Sequence, residues 1–117
     1  MPHFIVTGNY TNDAMKGMVA HPSDREAAVT ALIEAAGGKV ISYYMTTGET
    51  DFMMISEAKD GHDIIAGLLV AGASGTVTNL KTVRGFTSAE FTAAQKKAGA
   101  IAATYLPANA GVIITDT

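Results

Sequence analysis

Six residues have side chains and positions suited to recognising a small molecule: Tyr10, Arg25, Tyr44, Thr46, Asp51 and Arg84. Each falls at the expected end of a strand or the start of a helix, where side chains from different elements converge. Hydroxyls, a carboxylate and guanidinium groups around an apolar pocket make a reasonable ligand site. Tyr44, Asp51 and Arg25 are expected to form its centre. A desolvated Asp51 beside tyrosines would accept a proton. The simpler alternative is that Asp51 caps a hairpin turn through backbone amides and Arg25 pairs with a nearby carboxylate. Asp is a routine turn residue, which favours that reading.

Other chemistry is less well supported. His3, His21 and His62 are far apart and lack metal-ligand spacing, so solvent-facing positions at element ends are expected and no metal is predicted. Gly72-Ala73-Ser74-Gly75 superficially resembles a phosphate loop. Phosphate cradles precede a helix, whereas this stretch follows one, so a terminating role is expected. The six methionines, Met45, Met53 and Met54 among them, suit core or subunit packing better than an adaptable binding surface. No cysteine is present, which excludes thiolate chemistry. No Ser-His-Asp order or nucleophile elbow is legible, and no cofactor is implied.

Composition narrows the partners. In 117 residues, the 8 basic side chains are scattered and the formal net charge is -3, so there is no electrostatic footprint for nucleic acid. Lys96-Lys97 reads as a solvated helix face. No stretch approaches the roughly 18 apolar residues needed to cross a bilayer, and the N-terminus lacks signal-peptide character. A cytoplasmic protein is the default expectation. Hydrophobic residues make up 48% and charged residues 16%, which argues for a packed domain with some apolar surface covered by other subunits.

The elements that must position the candidates are legible. Phe4 to Thr7 reads as a strand, running on to Tyr10 through a bend at Gly8-Asn9. Thr11, Asn12 and Asp13 can cap a short helical turn. Ser23 with Glu26 forms a capping-box pattern opening a helix to Ala36, closed by Gly37-Gly38. Lys39 to Thr46 and Asp51 to Glu57 form a hairpin around Thr47-Gly48-Glu49-Thr50. Asp60 or Asp63 caps a second main helix through Leu69, and Thr76 to Val83 or Arg84 is a fourth strand. Thr87 to Glu90 is another capping box, opening a helix that reaches toward Leu106, before Pro107. Gly111 to Thr115 reads as a short extra strand.

The order β-α-β-β-α-β predicts a ferredoxin-like α+β fold, with both main helices on one face of a four-stranded antiparallel sheet. A sheet covered on one side should alternate apolar and polar residues. These strands do not. Val40, Ser42 and Tyr44 are expected to oppose Ile41, Tyr43 and Met45; Phe52 and Met54 to oppose Met53 and Ile55; Phe4 and Val6 to oppose Ile5. Both faces are apolar. Either the chain's own C-terminal segment covers the open face or a second copy does, and self-association is the favoured expectation.

The ordered markers resemble the GYD-domain family of small ferredoxin-like, dimeric α/β-barrel-type proteins. The resemblance rests on Tyr10-Thr11, Pro22, Arg25, Gly37-Gly38, Tyr44, Thr46, Gly48-Glu49-Thr50-Asp51-Phe52, Glu57, Gly75, Val77, Phe86-Thr87 and Glu90-Phe91. Where the family's naming triplet has a Tyr, Glu49-Thr50 stands between Gly48 and Asp51. The resemblance implies a domain over residues 1–92; it implies nothing for the C-terminal stretch, and 93–117 is expected to be an extension packed on that domain or on a neighbouring subunit. Three functions stay open: an oligomeric small-molecule-binding or regulatory protein, a cofactor-independent enzyme working by proton transfer in an apolar pocket, and a structural assembly protein. The first is favoured because no catalytic constellation is legible.

Overall fold

The computed structural model describes residues 1–109, which fall into two compact units divided after Gly85. The first unit carries strand β1 (His3–Tyr10), helices α1 (Asn12–Ala20) and α2 (Arg25–Ala35), and strands β2 (Lys39–Met45) and β3 (Phe52–Glu57). Helix α3 (Gly61–Ala73) and strand β4 (Val77–Gly85) complete it. The strands form one antiparallel sheet in the order β2-β3-β1-β4. This is the split βαβ arrangement that the element order predicts.

Local chemistry sets the element ends. The Thr11 hydroxyl accepts the Ala14 amide to open α1 at 3.2 Å. Asp24, not Ser23, caps α2: its carboxylate accepts the Ala27 amide at 3.2 Å. The expected Ser23–Glu26 box is therefore off by one residue, because an Asp cap is as good as a Ser cap and here it stands next to the first helical residue. Asp60 caps α3 through the His62 amide at 3.0 Å. Gly37, at φ +102°, turns the chain out of α2 in the left-handed region that only glycine enters cheaply.

Two β-bulges shape the sheet. On β2, Val40 faces Ser56 while Ser42 faces Ile55, leaving Ile41 as the extra residue. Val40 therefore joins Tyr43 on the helix-covered face, not Ser42 and Tyr44 as strict alternation predicts. On β4, Asn79 and Leu80 stand opposite Gly8 of β1, and Asn79 has φ +53°. A Cβ on Gly8 would lie 2.7 Å from the Phe52 ring and 2.9 Å from Leu80, so this close approach requires glycine.

The core lies between the sheet and the pair α2 and α3. Val6, Ile33, Phe52, Met54, Ala58 and Ile64 are buried there, with Phe4, Val29, Leu68 and Leu80 packed around them. Each large aliphatic or aromatic side chain so buried contributes about 1.5–3 kcal/mol. The other face follows from the register: Ile5 pairs with Ile55 and Val83, and Met53 with Thr7 and Tyr44. Tyr44 is 59% exposed and Val83 58%. The second face of the sheet is apolar, as both-sided apolar strands predict.

The second unit, over its described residues, holds helix α4 (Ser88–Ile101) and a 3-10 turn at Ala102–Thr104. Its capping box forms as the sequence predicts: the Glu90 amide donates to the Thr87 hydroxyl at 3.1 Å, and the Thr87 amide donates to Glu90 at 2.9 Å. Helix α4 ends at Ile101, short of Leu106, and buries none of its residues. The expected strand at 111–115 lies outside the described residues.

Candidate functional site

A cavity of about 220 Å³ lies between the inner sheet face and helices α2 and α3, wholly within the first unit. Its walls are mainly aliphatic and aromatic, with Val29 and Leu32 from α2, Leu68 from α3 and Phe52 from β3. The period of α2 brings Ala28, Val29, Leu32 and Ile33 to one side, so a single helix face supplies much of the wall. Polar groups enter from the ends of elements: Tyr10 ends β1, Arg25 begins α2, and Ser74 and Thr76 follow α3. Within hydrogen-bond range of each other, the Tyr10 and Tyr43 hydroxyls lie 2.8 Å apart. Phe52 braces both rings, stacked on Tyr43 at 6.2 Å and tilted against Tyr10 at 5.3 Å.

The electrostatics favour a neutral Tyr43 beside a single cation. Burial raises the Tyr43 pKa well above the usual tyrosine value, and the hydrogen bond to Tyr10 pushes it the same way. The nearby Arg25 charge acts in the opposite sense without overcoming these effects. Tyr43 therefore stays protonated through the neutral range and keeps a proton to donate. Arg25 is half-buried, forms no ion pair among the described residues, and donates a long 3.4 Å hydrogen bond to the Ser23 hydroxyl. The expected pairing of Arg25 with a carboxylate is absent there. Asp24 is turned to its capping role, and Glu26 is exposed. No Asp, Glu or His lines the cavity among the described residues.

The six sequence candidates scatter. Tyr10 and Arg25 line the cavity. Tyr44 points to the open face of the sheet, and its neighbour Tyr43 takes the inner position, opposite buried Met54. Thr46 closes the hairpin by donating to the Thr50 carbonyl at 2.7 Å. Asp51 pins that hairpin to β1: its carboxylate accepts the Tyr10 amide at 2.9 Å and the Asn9 side chain at 3.2 Å. Its amide donates to the Gly8 carbonyl at 2.8 Å. Asp51 supports the wall that carries Tyr10 without lining the cavity. Arg84 pairs with Phe4 across the strands and stands over its ring at 6.0 Å, at the opposite end of β1 from Tyr10. The histidines also stay apart, His3 beside Glu57 at 3.4 Å and His62 beside Asp60 at 3.3 Å.

Sequence reasoning missed Tyr43, Ser74 and Thr76. The hairpin register held a signal for the first: with Phe52 and Met54 inward, a turn that pairs Met45 with Phe52 places Tyr43 inward as well. Ser74 belongs to the segment already assigned to ending α3, where its hydroxyl donates to the Ala71 carbonyl at 2.6 Å, and Thr76 was assigned to the start of the fourth strand. Among the described residues no three His, Asp or Glu side chains converge to hold a metal ion. No helix there is long and apolar enough to cross a membrane.

An antiparallel four-stranded sheet with two helices on one face and a cavity between the layers defines a ferredoxin-like α+β protein. The chain belongs to the GYD domain family, whose model matches residues 4–94. It is similar to the glutamine synthetase and cystathionine beta-lyase binding protein of Thermus thermophilus, with 28% identity over 80 residues covering 68% of this chain and 84% of that protein. Among solved structures, a protein of Thermus thermophilus aligns with a TM-score of 0.49 and 18% identity, over 75% of this chain and 96% of that one. A transcriptional regulator of Neisseria meningitidis, solved as a complex with L-Met, aligns with a TM-score of 0.49 and 16% identity. That alignment covers 74% of this chain and 51% of the regulator.

Proposed function

We propose that this protein is a cytoplasmic, homo-oligomeric regulatory protein that binds a small molecule in the cavity between its sheet and helices α2 and α3. The observation that carries the reading is Arg25, half-buried beside an apolar cavity with no carboxylate or imidazole in its described lining. Proton-transfer catalysis calls for a group that accepts a proton near neutral pH. The lining supplies phenols, hydroxyls and a guanidinium, a set suited to holding a ligand. A binding role also suits the name of the Thermus relative, which describes a protein that binds two enzymes. Ligand occupancy here would then bias contacts with a partner protein or another subunit.

Self-association is the second part of the proposal. Ile5, Met53, Ile55, Val83 and Tyr44 run together across all four strands on the face away from α2 and α3. Packing two such faces about a two-fold axis removes them from water. Residues 93–117 act as an extension in this assembly, with the exposed α4 available to a neighbouring subunit.

Native mass spectrometry of the gently purified protein tests both parts. The expected spectrum shows a dimer or higher assembly carrying a small molecule that denaturation releases. Ala71→Phe, which fills the cavity from α3, is expected to lose that molecule and keep the assembly. A bare single protomer in the wild type would refute the proposal.

A further inference from the structure

From the placement of one guanidinium beside an apolar cavity of limited size, we infer that the ligand is a compact monocarboxylic acid with an apolar body. This inference rests on the reading of the cavity as a ligand site. Arg25 is the one charged residue in the described lining, so the site offers a single positive charge and no buried negative one. A guanidinium presents parallel N–H donors that match the two oxygens of a carboxylate, and the pairing strengthens where water is scarce.

The surroundings of Arg25 leave that fork available. Asp24, its neighbour in the chain, accepts the Ala27 amide. The Ser23 hydroxyl occupies one nitrogen of the guanidinium, at 3.4 Å. Arg25 also borders two shallower hollows, one with Pro22, Glu26 and Met45 and the other with Asp13 and His21. Those flanking carboxylates disfavour a doubly charged anion such as a phosphate monoester, which would meet repulsion from several sides with one cation to hold it. A single carboxylate meets less of it.

The remaining polar groups fix orientation. Tyr43 and Tyr10 share one hydrogen bond between them, and the second phenolic proton meets only the weak thioether acceptor of Met45 at 3.8 Å, from which a carboxylate oxygen can draw it. Beyond them the wall turns apolar, with Val29, Leu68 and Leu80. An engineered cavity of about 150 Å³ in another protein holds benzene. The larger volume here, about 220 Å³, suits a branched or aromatic body of roughly six to ten non-hydrogen atoms on the same scale.

Isothermal titration calorimetry of the whole protein with phenylacetate, phenylacetamide, phenethylamine and benzyl phosphate tests this. Phenylacetate is expected to bind at least about tenfold more tightly than the other three. Arg25→Gln is expected to erase that preference, Arg25→Lys to retain part of it, and Ala71→Phe to abolish binding. Should Arg25→Gln not fold, the ranking of the probes on the wild type decides. If the amide, amine or phosphate binds as well as the acid and Ala71→Phe still abolishes binding, the cavity is the site and the carboxylate inference is wrong. If no probe binds, or Ala71→Phe leaves binding intact, the inference and the reading of the cavity both fail.

Discussion

Ile55→Lys is expected to raise the dissociation constant of the assembly about a hundredfold or more, equivalent to about 3 kcal/mol of lost association. Ile55 sits on the open face at the middle of the sheet, between Ile5 on β1 and Ser42 on β2. A two-fold axis through that face brings two copies of the residue close together, so one substitution introduces two ammonium groups. Each loses hydration and faces apolar neighbours with no carboxylate in register on β1 or β2. The fold should survive, because the side chain points away from the core cluster around Met54 and Val6. Sedimentation velocity across a dilution series reads the shift. Circular dichroism confirms that the lysine variant keeps its helices and strands. An unchanged sedimentation coefficient in the variant would place the subunit contact elsewhere.

Ile33→Ala acts on the other side of the sheet and on stability itself. The expected loss is about 3–5 kcal/mol of unfolding free energy, in the upper part of the range for truncating a buried isoleucine. Ile33 is 1% exposed and sits where α2, α3 and the start of β2 meet. Its methyl groups fill the space above two glycines: a Cβ built on Gly38 would lie 2.9 Å from Ile33 Cγ2, and one on Gly67 3.1 Å from Ile33 Cδ1. With no side chain on either glycine, the neighbours have little with which to refill the gap. The void would also open into the existing cavity, which Ile33 helps to line. Chemical denaturation at one fixed protein concentration measures the loss, since assembly adds to apparent stability by mass action. A loss below about 1 kcal/mol would mean that the helices do not close on Ile33 in this way.

Much of this architecture is written in local sequence. Gly37, Thr87 with Glu90, and the hairpin around Gly48 act through their own backbone neighbourhood, so the residue types suffice to place them. The apolar character of both sheet faces was also legible, because Phe52, Met53, Met54 and Ile55 leave neither side polar. The site was less so. Tyr43 and Tyr44 are adjacent and chemically alike, and choosing between them requires knowing which face the helices cover. The bulge at Ile41 hides the answer further by putting Val40 in phase with Tyr43.

Arg84 and Asp51 fail as cavity residues for different reasons. Both stand at strand ends, as expected, but the two ends of an antiparallel strand point to opposite edges of the sheet. Arg84 belongs to the edge with Phe4, while Tyr10 belongs to the other. Asp51 reaches the right edge and is consumed there by the Tyr10 amide and the Asn9 side chain. Its role is to hold β1 against the hairpin, the structural reading that its residue type already favoured. The tertiary register, not the identity of the residues, decided which polar groups meet.

The most direct measurement is a methyl NMR titration with phenylacetate on protein carrying labelled Met, Leu, Val and Ile methyl groups. A ligand held between the layers is expected to concentrate the shifts at Val29, Leu68 and Met54, which face the cavity. Shifts concentrated instead at Met53, Ile55 and Val83 would put the ligand on the other side of the sheet and contradict that placement.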